Sequence, residues 1–182
     1  FMKKLQIGVM WSAADLGYEQ NISDLAFEIG KIIASLGCVM VYGAEKDSDS
    51  LSTSAARGAK SVWWLVMGVT YGKTPDVWWE MLDLTDCMVC TGMERGGWRE
   101  FVLVSSCDAI VVVGGWSGTL NEMTVAYQKK IPIFVMKWTG GWADKLADHY
   151  IDERYCTDPK RYICKGIDDI DDLVGQIGQI IS

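Results

Sequence analysis

The residues best suited to chemistry follow an apolar run that ends at Val113, and they read Gly-Gly-Trp-Ser-Gly-Thr-Leu-Asn-Glu over positions 114–122. The five apolar residues Ala109–Val113 predict a short buried strand, and the residues from Thr119 onward predict a helix. A strand that ends in glycines at a helix N-terminus is typical of an anion site. The backbone approaches a ligand closely there, unpaired N–H groups point outward, and the helix dipole favours negative charge. We therefore expect a phosphorylated small molecule to bind this turn.

Two charged side chains accompany the turn, Glu122 just inside the predicted helix and Arg99 in an earlier helix-like segment. A carboxylate stabilises the positive charge that develops on a sugar ring when a base leaves ribose 5-phosphate. A guanidinium holds phosphate or carboxylate through a planar, two-pronged contact. Two structural alternatives stay open. Thr119 and Glu122 also match a capping box, and Arg99 can form a surface ion pair with Glu94 or Glu100.

Strand-like and helix-like segments alternate along the chain, which is typical of a mainly parallel sheet with helices on both faces. The predicted strands are 5–10, 38–42, 62–69, 87–91, 109–113, 131–136 and 162–164. The predicted helices are 22–36, 51–60, 75–84, 98–106, 119–129 and a last one with an apolar stripe over 170–181. Neither a linker nor a repeat interrupts this pattern, so residues 1–182 are expected to form a single α/β domain.

Composition argues against several classes of function. The net charge of −7 disfavours binding to nucleic acid, which depends on Lys and Arg side chains that neutralise phosphates. No apolar run approaches the ~18 residues of a membrane span, and no signal peptide is visible, so we expect a cytoplasmic protein without a membrane partner. The single histidine, His149, excludes a mechanism that needs two. Cys87 and Cys90 have no second pair at matching spacing, so no metal site is predicted.

The motifs resemble those of the Lonely-guy (LOG) superfamily. The matching features are Thr91-Gly92-Met93, an arginine (Arg99) nine residues before Asp108, and Gly-Gly-x-x-Gly-Thr-x-x-Glu at 114–122. That superfamily includes cytokinin-activating phosphoribohydrolases, once misannotated as lysine decarboxylases, and molybdenum-cofactor carrier proteins. The resemblance implies a Rossmann-like fold with a ligand at the carboxyl ends of the strands. It also implies a homo-oligomer.

Carried over by position, the resemblance implies catalytic roles for Glu122 and Arg99. It implies that the following residues bind the ligand or its phosphate: Met93, Gly114, Gly115, Trp116, Ser117, Gly118 and Thr119. The chain departs from the hydrolases at Trp116, which replaces a glycine and would crowd the phosphate or stack on a base. It also departs in the loop 43–50, where acids at 45, 47 and 49 replace a glycine-rich segment and would repel a phosphate.

Two functions stay open at this point. The chain either hydrolyses the N-glycosidic bond of a nucleoside 5′-monophosphate or is a noncatalytic carrier or sensor of a nucleotide-like or pterin (molybdenum) cofactor. In both cases the partner is a phosphorylated, nucleotide-like small molecule, and no resident cofactor is expected. The nine tryptophans support a homo-oligomer, because aromatic residues are enriched at interfaces. Trp63 and Trp64, placed in the third predicted strand, are expected to face opposite sides of the sheet.

Overall fold

The computed structural model describes residues 4–11, 20–47, 49–93, 98–152 and 163–181. The strands within these ranges are Gln6–Met10 (β1), Val39–Gly43 (β2), Val66–Thr70 (β3), Cys87–Cys90 (β4), Ala109–Val113 (β5), Ile133–Met136 (β6) and Cys164–Ile167 (β7). The helices are Gln20–Ser35 (α1), Leu51–Ser61 (α2), Trp79–Leu84 (α3), Arg99–Ser105 (α4), Ser117–Lys129 (α5), Gly141–Leu146 (α6) and Ile170–Ile181 (α7).

The strands form one sheet in the order β4-β3-β2-β1-β5-β6-β7, and every neighbouring pair is parallel. The chain builds outward from β1 to β4, returns to place β5 beside β1, and builds outward again to β7. Its direction therefore reverses between β1 and β5. Open α/β sheets bind ligands at the carboxyl ends of the strands beside such a reversal. The glycine turn at 114–116 lies at this point of the sheet.

Alternate side chains of the strands pack into two hydrophobic cores, one on each face of the sheet. Ile7 and Val9 pack with α1, α2 and α7 on one face, whereas Met10 packs with α4 and α5 on the other. Each face is thus covered by helices, which confirms the predicted Rossmann-like α/β architecture. Within the described ranges, no helix combines the length and the apolar composition needed to cross a membrane.

The structure corrects the third predicted strand. It begins at Val66 rather than at residue 62, because α2 continues to Ser61 and Trp63 has a φ of 58°, which a strand does not allow. Trp63 is 92% exposed, whereas Trp64 is partly buried against the core on the α1 side. The prediction that these two tryptophans face opposite sides of the sheet is therefore wrong.

Three further elements differ from the sequence prediction. The last strand, β7, is Cys164–Ile167 rather than 162–164, of which residue 162 lies outside the described ranges. Pro75 does not open α3, because residues 74–77 form tight turns in which Asp76 N donates to Thr74 O at 2.8 Å, and the helix begins only at Trp79. The short helix α6 was not predicted, since Gly140 and Gly141 favour a loop over a helix. This helix matters because it contacts the glycine turn.

Candidate functional site

The turn after β5 has a backbone that only glycine adopts readily. Gly114 and Gly115 have φ values of 59° and 94°, in the left-handed region. A Cβ added to Gly115 would lie 2.5 Å from the side chain of Thr119, and one added to Gly114 would lie 2.9 Å from the ring of Trp11. The sequence-based expectation was that these glycines allow the backbone to approach a ligand closely. The structure adds a packing reason, because the protein's own side chains already fill the space beside them.

Helix α6 and Thr139, two residues before it, hold the turn in place. The Gly114 N–H donates to Thr139 Oγ1 at 2.8 Å, and this hydroxyl donates to Met136 O at 2.7 Å. Trp142 N and Ala143 N of α6 donate to the carbonyls of Gly115 and Gly114 at 2.9 Å and 3.0 Å. Both glycine carbonyls are therefore engaged by α6, and the orientation of the turn is fixed on one side.

Helix α5 begins at Ser117, two residues earlier than predicted, and its N-cap residue is Trp116. The Trp116 side chain makes no capping hydrogen bond, although the amides of a first helical turn have no partner within the helix. Thr119 lies inside this first turn and is fully buried, and its Oγ1 has no hydrogen-bond partner within the described residues. Thr119 is not an N-cap, so the capping-box interpretation of Thr119 and Glu122 is wrong.

Beyond the turn, the residues at the start of α5 are exposed. Trp116 is 47% exposed, and Ser117 and Gly118 are exposed. A Cβ added to Gly118 would meet no atom within 4 Å. Six of the seven predicted ligand-binding residues thus occupy one continuous turn and helix start. The structure brings them together at the reversal point of the sheet.

Met93, the seventh predicted binding residue, lies elsewhere. It follows the edge strand β4, and its N–H donates to Thr91 Oγ1 at 3.3 Å. Strands β3, β2 and β1 separate β4 from β5, which corresponds to about 19 Å at roughly 4.8 Å per strand. The described residues therefore place Met93 apart from the glycine turn.

Arg99 is buried at the start of α4, with 3% of its surface exposed. Its Nη2 lies 2.6 Å from Glu45 Oε1 and 3.7 Å from Glu100 Oε1. Nη2 also donates to the hydroxyl of Tyr71, and the guanidinium carbon lies 4.0 Å from the centre of that ring. The proposed ion pair with Glu100 is therefore present, but it is buried, and the prediction that it lies on the surface is wrong. Glu94, the other proposed partner, lies outside the described residues.

Gly43, at the end of β2, makes room for this guanidinium. A Cβ added to Gly43 would lie 1.9 Å from Arg99 Nη1. Burial acts to lower the pKa of Arg99, but the charges of Glu122 and Glu45 outweigh it and hold the pKa above its usual value. Arg99 therefore stays charged inside the protein.

Glu122, on α5, is 5% exposed and close enough to Arg99 for their charges to interact. Burial raises the pKa of Glu122 to about 8, Arg99 opposes this shift, and the negative charges of Glu100 and Glu45 add to it. Its Oε2 has no hydrogen-bond partner in the part of the chain that the structure describes. At neutral pH Glu122 is therefore mainly protonated.

Unpaired buried atoms concentrate around this group, which we call the Arg99 cluster (Arg99, Glu45, Glu100, Glu122 and Tyr71). Buried polar atoms of proteins are nearly always hydrogen-bonded. Among the described residues, the buried side-chain atoms without a partner are Arg99 Nε, Glu100 Oε2, Glu122 Oε2, Thr119 Oγ1, Trp64 Nε1 and Trp78 Nε1. Three belong to the cluster and a fourth, on Thr119, lies on the same helix as Glu122. This concentration indicates a place where a ligand or ordered water completes the bonding.

A cleft of about 370 Å³ adjoins the Arg99 cluster at the carboxyl ends of β2, β3 and β4. Glu45 and Tyr71 line it and also contact Arg99, so the cleft and the cluster share a wall. Sequence reasoning missed Glu45, Tyr71 and Gly43 as site residues. Their position could have identified them as site residues, because each lies at or just after the carboxyl end of a parallel strand.

Comparisons with known proteins agree with this architecture. The sequence profile of the SLOG cluster4 family matches residues 4–163, so the chain belongs to that family. The predicted membership in the LOG and molybdenum-cofactor-carrier-like superfamily of Rossmann-like proteins is thereby confirmed.

One relative and two solved structures illustrate the similarity. An uncharacterised protein of Archaeoglobus fulgidus is 30% identical over 128 residues, which cover 70% of this chain and 77% of that protein. The molybdenum cofactor binding protein of Rippkaea orientalis superposes with a TM-score of 0.78 at 21% identity, over 100% of both chains. The molybdenum cofactor carrier protein of Chlamydomonas reinhardtii has a TM-score of 0.77 at 24% identity, over 98% of this chain and 99% of its own. At these identities the two structures establish the shared fold.

Proposed function

We propose that this protein binds a phosphorylated, nucleotide-like small molecule at residues 114–119 and holds it without cleaving it. One observation carries the proposal. The N-terminus of α5 is left uncapped at the reversal point of the sheet, beside the buried and unpaired hydroxyl of Thr119. Amides of a first helical turn, together with the helix dipole, favour a phosphate group.

The cargo class that this geometry suits is a phosphate joined to a flat heterocycle. The exposed indole of Trp116 lies next to the amides that would bind the phosphate, where it can stack on a ring system. A nucleotide and a phosphorylated pterin share this chemistry. The solved structures of similar fold are described as molybdenum cofactor binding and carrier proteins, which supports the pterin cofactor as a candidate cargo.

The states of Arg99 and Glu122 support holding rather than cleavage. Cleavage of a glycosidic bond calls for a carboxylate near the developing positive charge. Glu122 has a pKa of about 8 and is mainly neutral at pH 7, while Arg99 is engaged by Glu45. Neither side chain is available in the form that the carried-over roles require.

A hydrolase remains the second candidate because of the same raised pKa. A buried carboxylic acid with a pKa of about 8 is protonated at neutral pH and can act as a general acid towards a departing base. In that case Glu122 donates its proton to the base as the N-glycosidic bond breaks, and a water oxygen bonds to C1′ of the ribose. The proton that this water loses returns Glu122 to its acid form.

One experiment separates the two candidates. The protein and its Glu122→Gln variant are incubated with AMP, GMP, CMP and UMP, and the products are analysed by mass spectrometry beside the small molecules released from freshly purified protein. We expect intact nucleotides and a copurifying phosphorylated heterocycle. Free base with ribose 5-phosphate, lost in Glu122→Gln, would instead establish the hydrolase. The homo-oligomer and the cytoplasmic location stay predictions.

A further inference from the structure

We propose that Glu45 is a built-in competitor for the anion-binding edge of Arg99. A negatively charged group of the ligand then binds Arg99 only when the Glu45 side chain turns away into the adjoining cleft. The proposal rests on the proposed function, because it adds a second anion-binding position to the same phosphorylated ligand. It makes Glu45 a specificity-determining residue that sets which ligands the site accepts.

The hydrogen bonds of Arg99 leave one buried nitrogen of its guanidinium, Nε, without an acceptor among the described residues. Arginine binds oxyanions best through two parallel N–H groups. Within the described residues, Nη2 donates to Glu45 Oε1 at 2.6 Å and to Tyr71, whereas Nε is buried and has no acceptor. Glu45 therefore engages Arg99 through one nitrogen. A phosphate or carboxylate that contacts Nε and Nη2 together would satisfy the nitrogen that Glu45 leaves unpaired.

Glu45 can leave Arg99 without any movement of the main chain. The backbone on both sides is held, since Ala44 N donates to Val69 O at 2.9 Å and Trp78 N donates to Glu45 O at 2.8 Å. The Glu45 side chain also lines the cleft of about 370 Å³, so the space for a rotated carboxylate already exists. Displacement is thus a change of side-chain rotamer, which also gives up the hydrogen bond that the Tyr71 hydroxyl donates to Glu45 Oε1 at 3.3 Å.

Charge explains why the displacement selects its ligand. With Glu45 removed, Arg99 still faces Glu100 at 3.7 Å and the nearby Glu122. An incoming group must outcompete the Glu45 carboxylate for Arg99, which favours a strongly anionic phosphate over a neutral or weakly anionic group. Repulsion comes mainly from Glu100, because Glu122 is mainly protonated near pH 7. The apparent affinity is lowered because Glu45 has turned away in only a small fraction of the molecules.

The test measures binding of inorganic phosphate, AMP, GMP, CMP and UMP by isothermal titration calorimetry. We compare the wild type, Glu45→Gln, Asp47→Asn, and Glu45→Gln combined with Arg99→Met. Asp47→Asn is the matched control, because it removes one negative charge from the same loop. We expect Glu45→Gln to bind at least one probe about tenfold or more tightly than the wild type does. We expect Asp47→Asn to stay within about twofold, and the gain to vanish without Arg99.

Several results would overturn the competitor role. Equal affinity of Glu45→Gln and the wild type, an equal gain in Asp47→Asn, or a gain that persists without Arg99 would each do so and leave ligand binding at the turn intact. Failure of the wild type and Glu45→Gln to bind any probe would overturn both this inference and the proposed function. If Glu45→Gln does not fold, Glu45→Asp takes its place. Its shorter carboxylate weakens the contact with Arg99, so a gain in affinity is again required.

Discussion

Two loop-and-helix units lie at the carboxyl edge of the sheet, residues 43–61 and residues 114–129. They differ in how the N-terminus of the helix is capped. Helix α2 is capped by its own residues, since Thr53 N donates to Ser50 Oγ at 3.4 Å and Ser50 N donates to Thr53 Oγ1 at 3.2 Å. Helix α5 begins at Ser117, and the side chain of its N-cap residue, Trp116, makes no capping hydrogen bond. Helices α3, α4 and α6 also begin without a cap from the side chain of the N-cap residue, so an uncapped start is common at this edge. What sets α5 apart is that its uncapped start lies at the reversal point of the sheet, where the topology favours a ligand.

The two units also differ in charge. The loop before α2 carries Glu45, which points inward to Arg99, and Asp49, which pairs with Arg57 at 2.8 Å. Residues 114–119 before and at the start of α5 carry no charged side chain. One unit therefore supplies negative charge, whereas the other has an uncharged helix start without a side-chain cap. Arg99 connects them, because it binds Glu45 and interacts electrostatically with Glu122 on α5.

The largest expected effect on stability comes from removing Arg99, which connects the two units. Arg99→Met leaves the carboxylates of Glu45 and Glu100 buried without their positive partner, and should lower the free energy of unfolding by about 3–5 kcal/mol. The control is Arg57→Met, whose ion pairs with Asp49 and Glu80 are partly exposed and worth up to about 1 kcal/mol each. Urea unfolding measures both. Equal losses of unfolding free energy in the two variants would show that the buried Arg99 contributes no more to stability than the partly exposed Arg57 does.

A pH effect on stability should follow from Glu122. Its folded pKa of about 8 exceeds its ordinary value of 4.5, so the folded state binds more protons than the unfolded state between these values. The stabilisation that Glu122 contributes is complete below pH 4.5 and is lost as the pH rises through about 8. Relative to Glu122→Gln, the wild type should lose about 3 kcal/mol of unfolding free energy between pH 5 and 8. Parallel profiles of the two proteins would contradict the raised pKa.

The glycine turn should respond to substitution at one glycine and tolerate it at another. Gly115→Ala places a Cβ 2.5 Å from Thr119 at a φ of 94°, and should cost about 2–3 kcal/mol and reduce ligand binding. Gly118→Ala meets no atom within 4 Å and lies inside α5, so it should be neutral or stabilise by about 0.5–1 kcal/mol. Denaturant unfolding of both variants provides the measurement. A cost at Gly118 as large as that at Gly115 would be inconsistent with the described turn.

The smallest effect tests the capping difference itself. Trp116→Asp gives α5 the kind of cap that α2 has, and should raise stability by about 1 kcal/mol while weakening phosphate binding by repulsion. Ser50→Ala removes the cap of α2 and should cost about 1 kcal/mol without affecting binding. Thermal unfolding and calorimetry report the two quantities. Tighter phosphate binding by Trp116→Asp would show that α5 does not bind the anion.

Much of the fold was predictable because it depends on local patterns. The strand Ala109–Val113 was predicted with its correct bounds, since its five residues are all buried between polar residues and a glycine pair. The start of β3 was not, because the apolar run Val62 to Val69 gives no sign that Trp63 leaves the strand conformation. A run of apolar residues indicates burial, but its ends are set by backbone geometry.

The candidate site was predictable only in part, for a similar reason. The turn at 114–119 follows from residue types along the chain. The inward pairing of Glu45 with Arg99 joins residues 54 positions apart, and it depends on the space that Gly43 leaves beside the guanidinium. Sequence reasoning treated Glu45 as a loop acid that repels phosphate. The direction of a side chain in an irregular loop is decided by tertiary contacts that the local sequence does not encode.

The most direct test of the open helix start is a titration followed by amide NMR. AMP, GMP, CMP and UMP are each added to ¹⁵N-labelled protein, and the amide shifts at the starts of α2 and α5 are compared in the same spectra. We predict that at least one nucleotide shifts the amides of Ser117, Gly118 and Thr119, while those of Ser52 and Thr53 stay unchanged. Shifts confined to α2, or no shift at α5 with any of the four nucleotides, would contradict ligand binding at the start of α5.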